Sequence, residues 1–338
     1  MAERPIILSL TTMHESGMDR LRKAGELRMA SSLEPSVLHR EIVDADALVI
    51  RTAGTIDAAL MDCGKALRVI GRHGVGYDQV DIPAATDRGI LVVYTPGANT
   101  QGVAEHVVAM MIGVSKHFPG QMKALVEGRY NDRTRLVGRD IAGKTLGIVG
   151  FGRIGRRVGA IAYRGFGMNV LYNDVIEVPF EAESRSNAVR VGFDELLGAS
   201  DFVTLHVPLD ASTRGMIGRK ALAKIKPGAV LINTCRGPVV EEQAVAEALE
   251  SQRLFGYGAD VYTIEPPPPD HPLIGRTDLN LILTPHSAAQ SVESLRNMAE
   301  EVATDVVGVL QGRPPIHPVN DPVEVAEVRR KLGKPPLA

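Results

Sequence analysis

Short apolar runs rich in β-branched residues alternate with helix-patterned stretches almost from end to end of this 338-residue chain. Runs without polar alternation have to be covered on both faces, and a parallel sheet wrapped by helices meets that condition. The pattern therefore calls for an α/β protein built on doubly wound parallel sheets. The runs form two series. The first holds strand candidates at Ile6–Leu10, Ala47–Arg51, Arg68–Ile70 and Ile90–Tyr94, with weaker material near Leu27–Ala30. An apolar helix at 101–117 and an Arg-rich connection at 128–140 lead into the second. Its candidates are Thr145–Val149, Asn169–Asn173, Arg190–Phe193, Phe202–Val207, Val230–Thr234, Gly256–Val261 and Leu281–Thr284. Two series imply two domains, as does a length a little over twice the roughly 150 residues of an ordinary domain. A last helical stretch, Ser291–Leu310, stops at Gly312 and a proline-rich exit, the expected order of helix terminators.

Composition removes several classes. Lys and Arg number 38 against 40 Asp and Glu, a net charge of −2, so there is no basic excess for phosphates along a duplex and no nucleic-acid partner is expected. With 44% hydrophobic and 23% charged residues the chain is an ordinary globular one. Cys63 and Cys235 are too few for a disulfide framework, which fits a cytoplasmic location. The apolar start Ile6–Leu8 is too short for a secretion signal. The stretch 101–117 carries Glu105, His106 and Lys116 and falls short of the roughly 20 apolar residues needed to span a bilayer, so no membrane role is expected. No metal site is expected either.

The segment Gly143 to Arg157 reads as strand, glycine-rich turn and helix start, with Gly150, Gly152 and Gly155 in a GxGxxG pattern. Gly150 permits the tight turn, Gly152 lets the backbone approach a pyrophosphate, and Gly155 lets helix and strand pack closely. Amides around Arg153 and Ile154 then face the anion. Asp174, at the end of the next strand, is placed to accept the ribose hydroxyls and to repel a 2′-phosphate, which favours NAD over NADP. Arg156 and Arg157 nearby leave NADP open, and Asp174 also fits a solvated strand end.

Three charged residues follow three strands of the second series: Arg236 after Val230–Thr234, Glu265 after Gly256–Val261, and His286 after Leu281–Thr284. Open α/β sheets bind ligands beyond these ends. The set suits interconversion of a 2-keto acid and a 2-hydroxy acid. Arg236 can grip a carboxylate, His286 can exchange a proton with the substrate oxygen, and Glu265 can fix the imidazole tautomer. Plainer roles exist for each: a surface arginine, a structural histidine, and a solvated glutamate beside the proline run Pro266–Pro269.

With these residues in hand, the chain resembles the D-isomer specific 2-hydroxyacid dehydrogenases, in the branch of D-3-phosphoglycerate dehydrogenases and hydroxypyruvate or glyoxylate reductases. The likeness runs over about residues 5–320 and includes Gly71-Arg-His-Gly74-Val75-Gly76, Thr95-Pro-Gly-Ala-Asn99-Thr-Gln-Gly-Val103, and His206-Val-Pro208 to Thr213. The resemblance implies an NAD-binding Rossmann domain at 101–288 inserted into a flavodoxin-like substrate-binding domain made of 1–100 and 289–320, with a tail at 321–338. It implies Arg236, Glu265 and His286 as catalytic residues. Cofactor contacts are implied at Arg153, Ile154, Asp174, His206, Pro208, Thr213, Thr234, Cys235, Asp260 and Ala288, with Val103 near the nicotinamide. The substrate carboxylate is implied at the backbone of Gly74 and Val75, and Arg51 matches a position able to reach a distal anionic group, though a surface role fits it equally. Homodimers joined through the cofactor domains are the family habit. The chain departs from many relatives at Tyr130 and Gln290.

The leading expectation is thus an NAD-dependent oxidoreductase acting on a small 2-hydroxy or 2-keto acid, with 3-phosphoglycerate, hydroxypyruvate and glyoxylate as first candidates. Formate oxidation calls for a glutamine where Glu265 stands. A phosphite dehydrogenase-like enzyme keeps the same three residues, and an NAD-sensing corepressor of the C-terminal-binding-protein kind is the alternative from a different class.

Overall fold

The computed structural model describes residues 4–51 and 54–337. They divide into two compact units, one made of 1–99 with 291–338 and the other of 100–290. Each is built on its own parallel sheet.

In the first unit the strands are β1 (Ile6–Ser9), β2 (Glu26–Met29), β3 (Ala47–Ile50), β4 (Val69–Arg72) and β5 (Leu91–Val93). Their order is β2-β1-β3-β4-β5 with every pair parallel, the flavodoxin-like winding. Residues of β3 and β4 are buried throughout, as the unbroken apolar sequence of β3 requires. One face packs under the short helices Pro35–Glu41, Ala58–Cys63 and Ile82–Asp87 through Leu48, Ile50, Ile70 and Val92. The other face, with Ile7, Val49 and Val69, packs against Val302 and Val306 of helix Val292–Leu310. Glycines set the approach of that helix: a Cβ on Gly71 would stand 2.5 Å from Val306 Cγ2, and one on Gly17 2.6 Å from the Ala299 carbonyl oxygen. After the helix the chain runs antiparallel to β5 at Val93 and Pro318. Asn320 there accepts from the Val92 amide at 2.9 Å and donates to the Ile90 carbonyl, which covers an otherwise open sheet edge.

The stretch read from sequence as a tail contains a helix, Pro322–Lys331. Asp321 caps it by accepting from the Val323 amide, proline opens it, and basic residues close it, the expected arrangement of caps and charges. Buried Arg329 ties it down by donating to the Gly89 and Pro335 carbonyls.

The second unit has β6 (Thr145–Val149), β7 (Asn169–Asn173), β8 (Ala188–Arg190), β9 (Phe202–Leu205), β10 (Ala229–Asn233), β11 (Leu254–Ala259) and β12 (Leu281–Leu283). The order β12-β11-β10-β9-β6-β7-β8 is that of a Rossmann sheet with one added strand. Helices Thr100–Ser115 and Arg153–Phe166 cover one face and Phe193–Ala199, Arg219–Lys224 and Glu242–Glu250 the other. The order reverses between β6 and β9, and ligands bind beyond the strand ends at such a switch. The sequence placed the third strand at Arg190–Phe193, whereas β8 ends at Arg190 and Phe193 already opens a helix. Gly192 and the first-turn acids Asp194 and Glu195 supply a helix start that overrides the apolar run. A further helix, Phe118–Val126, follows His117 in left-handed conformation (φ 55°) and carries a proline in its first turn.

Candidate active site

The dinucleotide turn lies at the reversal point. Gly150 follows β6 with φ 91°, and a Cβ there would stand 2.7 Å from the His206 carbonyl group that follows β9. Gly155 faces the turn so closely that a Cβ would meet the Gly150 oxygen at 2.3 Å. Gly152 instead faces open space and stands at the N-cap of helix Arg153–Phe166, where no side chain caps the helix. Uncapped amides at Arg153 and Ile154 beside an open glycine fit a pyrophosphate. Asp174, just past β7, accepts from the Phe151 amide at 2.6 Å and from the Ile176 amide at 2.9 Å. Its carboxylate is thereby fixed against the glycine turn.

The other residues implied as cofactor contacts divide by what they already hold. Thr234, after β10, has a buried hydroxyl with no partner, a group that a ligand would satisfy. His206 meets Thr204 Oγ1 at 3.0 Å, and the packing around its ring pushes its pKa down to about 3, so the ring is neutral. Thr213 donates to the Pro208 carbonyl at 2.7 Å and shapes the loop 208–213. Burial pushes the Cys235 thiol up to about 11, and its Sγ donates to Asn233 Oδ1, so it is an unreactive packing group. Val103 is buried in the first turns of helix Thr100–Ser115.

Asp260 already anchors the segment that carries His286. Its buried carboxylate accepts from Thr284 Oγ1 at 2.5 Å, from the Ser287 amide at 2.7 Å and from the Ala288 amide at 2.9 Å. The Asp260 carbonyl takes the His286 amide at 2.8 Å. His106 Nε2 adds a bond to Thr284 Oγ1 at 3.0 Å and Tyr262 Oη one to the Thr284 carbonyl. This knot holds His286 at φ 50°, a conformation unusual for a residue with a Cβ and one that neighbouring bonds have to enforce.

The three strand-end charges meet on this frame. His286 Nδ1 lies 2.7 Å from Glu265 Oε2, while Glu265 Oε1 accepts from the Tyr262 amide at 3.0 Å. Burial raises the Glu265 pKa, but the His286 bond, the Tyr262 amide and the charges of His286 and Arg236 outweigh it, so the carboxyl sits below its ordinary range. Arg236 follows β10, half-buried, and its Nη1 donates to the Cys235 carbonyl at 2.6 Å. Under the Glu265 loop lies a pair absent from the sequence reading: Glu242 accepts from the Thr263 amide at 2.9 Å and meets His271 Nε2 at 3.1 Å. An acid at the start of an alanine-rich helix gives no sign of this in the sequence.

In the first unit, Arg51 and Gly74 follow the neighbouring strands β3 and β4. Arg51 is half-buried, and desolvation lowers its pKa. Gly74 adopts φ 143° and its amide already donates to the Arg72 carbonyl at 2.9 Å, leaving the Val75 amide as the donor without a partner among the described residues. Among those residues no cluster of three or more His, Cys, Asp or Glu could hold a metal, and no helix is long and apolar enough to cross a membrane.

Residues 108–288 match the family model of the D-isomer specific 2-hydroxyacid dehydrogenase NAD-binding domain. A D-3-phosphoglycerate dehydrogenase from Archaeoglobus fulgidus is 37% identical over 94% of this chain and 59% of its own length. A glyoxylate reductase from Korarchaeum cryptofilum is 36% identical over 96% of this chain and 98% of its own. The chain spans 52–61% of the length of the phosphoglycerate dehydrogenases it matches. The crystal structure of a glyoxylate reductase from Paecilomyes thermophila superposes with a TM-score of 0.85 at 31% identity, covering 94% of this chain and 99% of that one. The fold, the glycine turn and these likenesses agree: the chain belongs to the D-isomer specific 2-hydroxyacid dehydrogenase family, and residues 108–288 are its NAD-binding domain.

Proposed function

We propose that the protein is an NAD-dependent D-2-hydroxyacid dehydrogenase that interconverts a small 2-keto acid and its D-2-hydroxy acid. The observation that carries this reading is the 2.7 Å contact between His286 Nδ1 and Glu265 Oε2. With Nδ1 committed to Glu265, Nε2 is the nitrogen left for the substrate oxygen. In reduction Nε2 gives its proton to the keto oxygen, and in oxidation it takes the hydroxyl proton back. Glu265 fixes the ring and offsets the positive charge of the protonated form. Arg236 holds the substrate carboxylate and polarises the adjacent carbonyl through its planar donor fork. The nicotinamide, when bound, supplies or accepts the hydride at C2. Gly150, Gly152 and the amides of Arg153 and Ile154 hold the pyrophosphate, Asp174 the ribose, and Thr234 a further polar edge of the dinucleotide.

Glyoxylate, hydroxypyruvate and 3-phosphohydroxypyruvate are the substrates we assign first, supported by the names of the relatives. The Gly74 and Val75 backbone takes the carboxylate in this reading, and half-buried Arg51 takes a distal anionic group. We further assign a cytoplasmic homodimer joined through the NAD-binding domains. An apolar surface on that unit supports it: Met122, Leu125, Val126 and Tyr130 are each at least 63% exposed, and a surface of this kind is usually covered by a partner. Loss of NADH absorbance against a panel of these keto acids tests the function. Turnover of none of them, with or without a phosphate group, would overturn it.

A further inference from the structure

Helix Arg153–Phe166 begins against the usual rule for helix starts. Its first turn holds no acidic side chain and carries Arg153 and Arg156, with Arg157 next. The helix dipole opposes cations there and favours anions. Arg164 continues the same face, and Arg185 stands opposite. All five arginines line one cavity of about 620 Å³, in which Glu181 is the single acid. The buried face of this helix is elsewhere, at Gly155, Val158, Gly159 and Ala162, so the arginines are not needed for packing.

Several other surface arginines of this unit pair with carboxylates, Arg129 with Glu127, Arg219 with Glu247 and Arg276 with Glu250. None of the five cavity arginines has a carboxylate partner among the described residues. Three of them are nevertheless fixed in place. Arg156 donates through Nε to the Phe151 carbonyl at 2.8 Å, Arg157 through Nε to Gln101 Oε1 at 2.5 Å, and Arg164 through Nε to the Arg185 carbonyl at 3.2 Å. Each bond uses Nε and leaves the terminal Nη groups, the edge suited to phosphate oxygens, turned to other partners. Ala160, between Arg157 and Arg164, keeps the cavity floor low. Gly150, Gly152 and Asp174 do not line this cavity, which shares only Arg153 with the dinucleotide turn.

We propose that this cavity is a second anion site, separate from the dinucleotide turn, for a small molecule bearing two or more phosphate groups. Such a ligand would supply the missing counter-charge to the guanidinium cluster. The test is calorimetric titration of the full-length protein with pyrophosphate, once with saturating NADH and once without. One pyrophosphate per chain is expected to bind in the presence of NADH, more tightly than orthophosphate and more weakly as salt rises. Arg164→Gln and Arg185→Gln are each expected to weaken it about tenfold, the cost of one charge-assisted bond. Both residues are exposed, and an unchanged melting temperature confirms that the variants fold. Absence of binding at millimolar pyrophosphate overturns the proposal, as does equal affinity in the two variants. Binding seen only without NADH places the anion at the dinucleotide turn and also overturns it. A change in the oligomeric mass of the variants without any pyrophosphate binding makes the face a subunit contact instead.

Discussion

Gly237 lies so close to Tyr262 that a Cβ on it would stand 1.9 Å from the Tyr262 carbonyl carbon and 2.2 Å from its oxygen. The turn that presents Arg236 therefore rests directly on the loop that presents Glu265, backbone against backbone. No side-chain rotation can relieve a clash of that kind. Gly237→Ala is expected to cost on the order of 1–3 kcal/mol of stability through overpacking and to lower kcat/KM by separating Arg236 from Glu265. Thermal unfolding and steady-state kinetics check the two effects, and wild-type values in both would refute the packing argument.

His286→Ala is expected to lower kcat by about a hundredfold to ten-thousandfold, the usual range for loss of a general acid. NADH affinity, measured by fluorescence titration, is expected to stay near that of the unchanged protein, because the His286 ring is bonded to Glu265 and not to the glycine turn. Turnover close to wild type in this variant would remove His286 from the proton path.

Asp174→Ala removes the carboxylate that would repel a 2′-phosphate and leaves the Phe151 and Ile176 amides without their acceptor. The ratio of kcat/KM for NADH over NADPH is expected to fall. A ratio that does not move would mean that discrimination lies elsewhere, with Arg156 and Arg157 the next residues to change.

The lowered pKa of Glu265 has a definite sign in its effect on stability. The folded state holds this carboxyl ionised where the unfolded chain begins to take up the proton, so the contribution is complete above the ordinary glutamate range. It is lost as the pH falls through the lower, folded value. Since the side chain is 37% exposed, the effect is small. The acid-side decline of the melting temperature is expected to be shallower in Glu265→Gln than in the unchanged protein, and parallel declines would show that the His286 bond does not stabilise the ionised form.

Charges just beyond strand-like runs are visible without coordinates, and Arg236, Glu265 and His286 could be picked out because each lies in the short segment that follows such a run. The strands were legible as two series, since unbroken apolar runs such as Ala47–Ile50 demand burial on both faces. What holds His286 in place was not legible. Asp260 appears in sequence as one more strand-end acid, and only the path of the backbone brings the Ser287 and Ala288 amides to its two oxygens. The pairing of Glu242 with His271 depends in the same way on how a proline-rich loop folds back. The helix at Pro322–Lys331 is a different case, because Asp321, Pro322 and the terminal basic residues were all present as start and stop signals but lay beyond the stretch that the family likeness covers.

The first sheet is completed by a helix encoded after residue 290, and this has a consequence for the chain as it leaves the ribosome. Ile7, Val49 and Val69 are made early and must wait for Val302 and Val306. The intervening residues 100–290 take roughly 10 to 40 s to synthesise at ordinary translation rates. During that interval the second unit is itself still being made, and one face of the first sheet lacks the helix that covers it. The order of synthesis thus makes completion of the first sheet wait for a helix that follows the whole of the second unit.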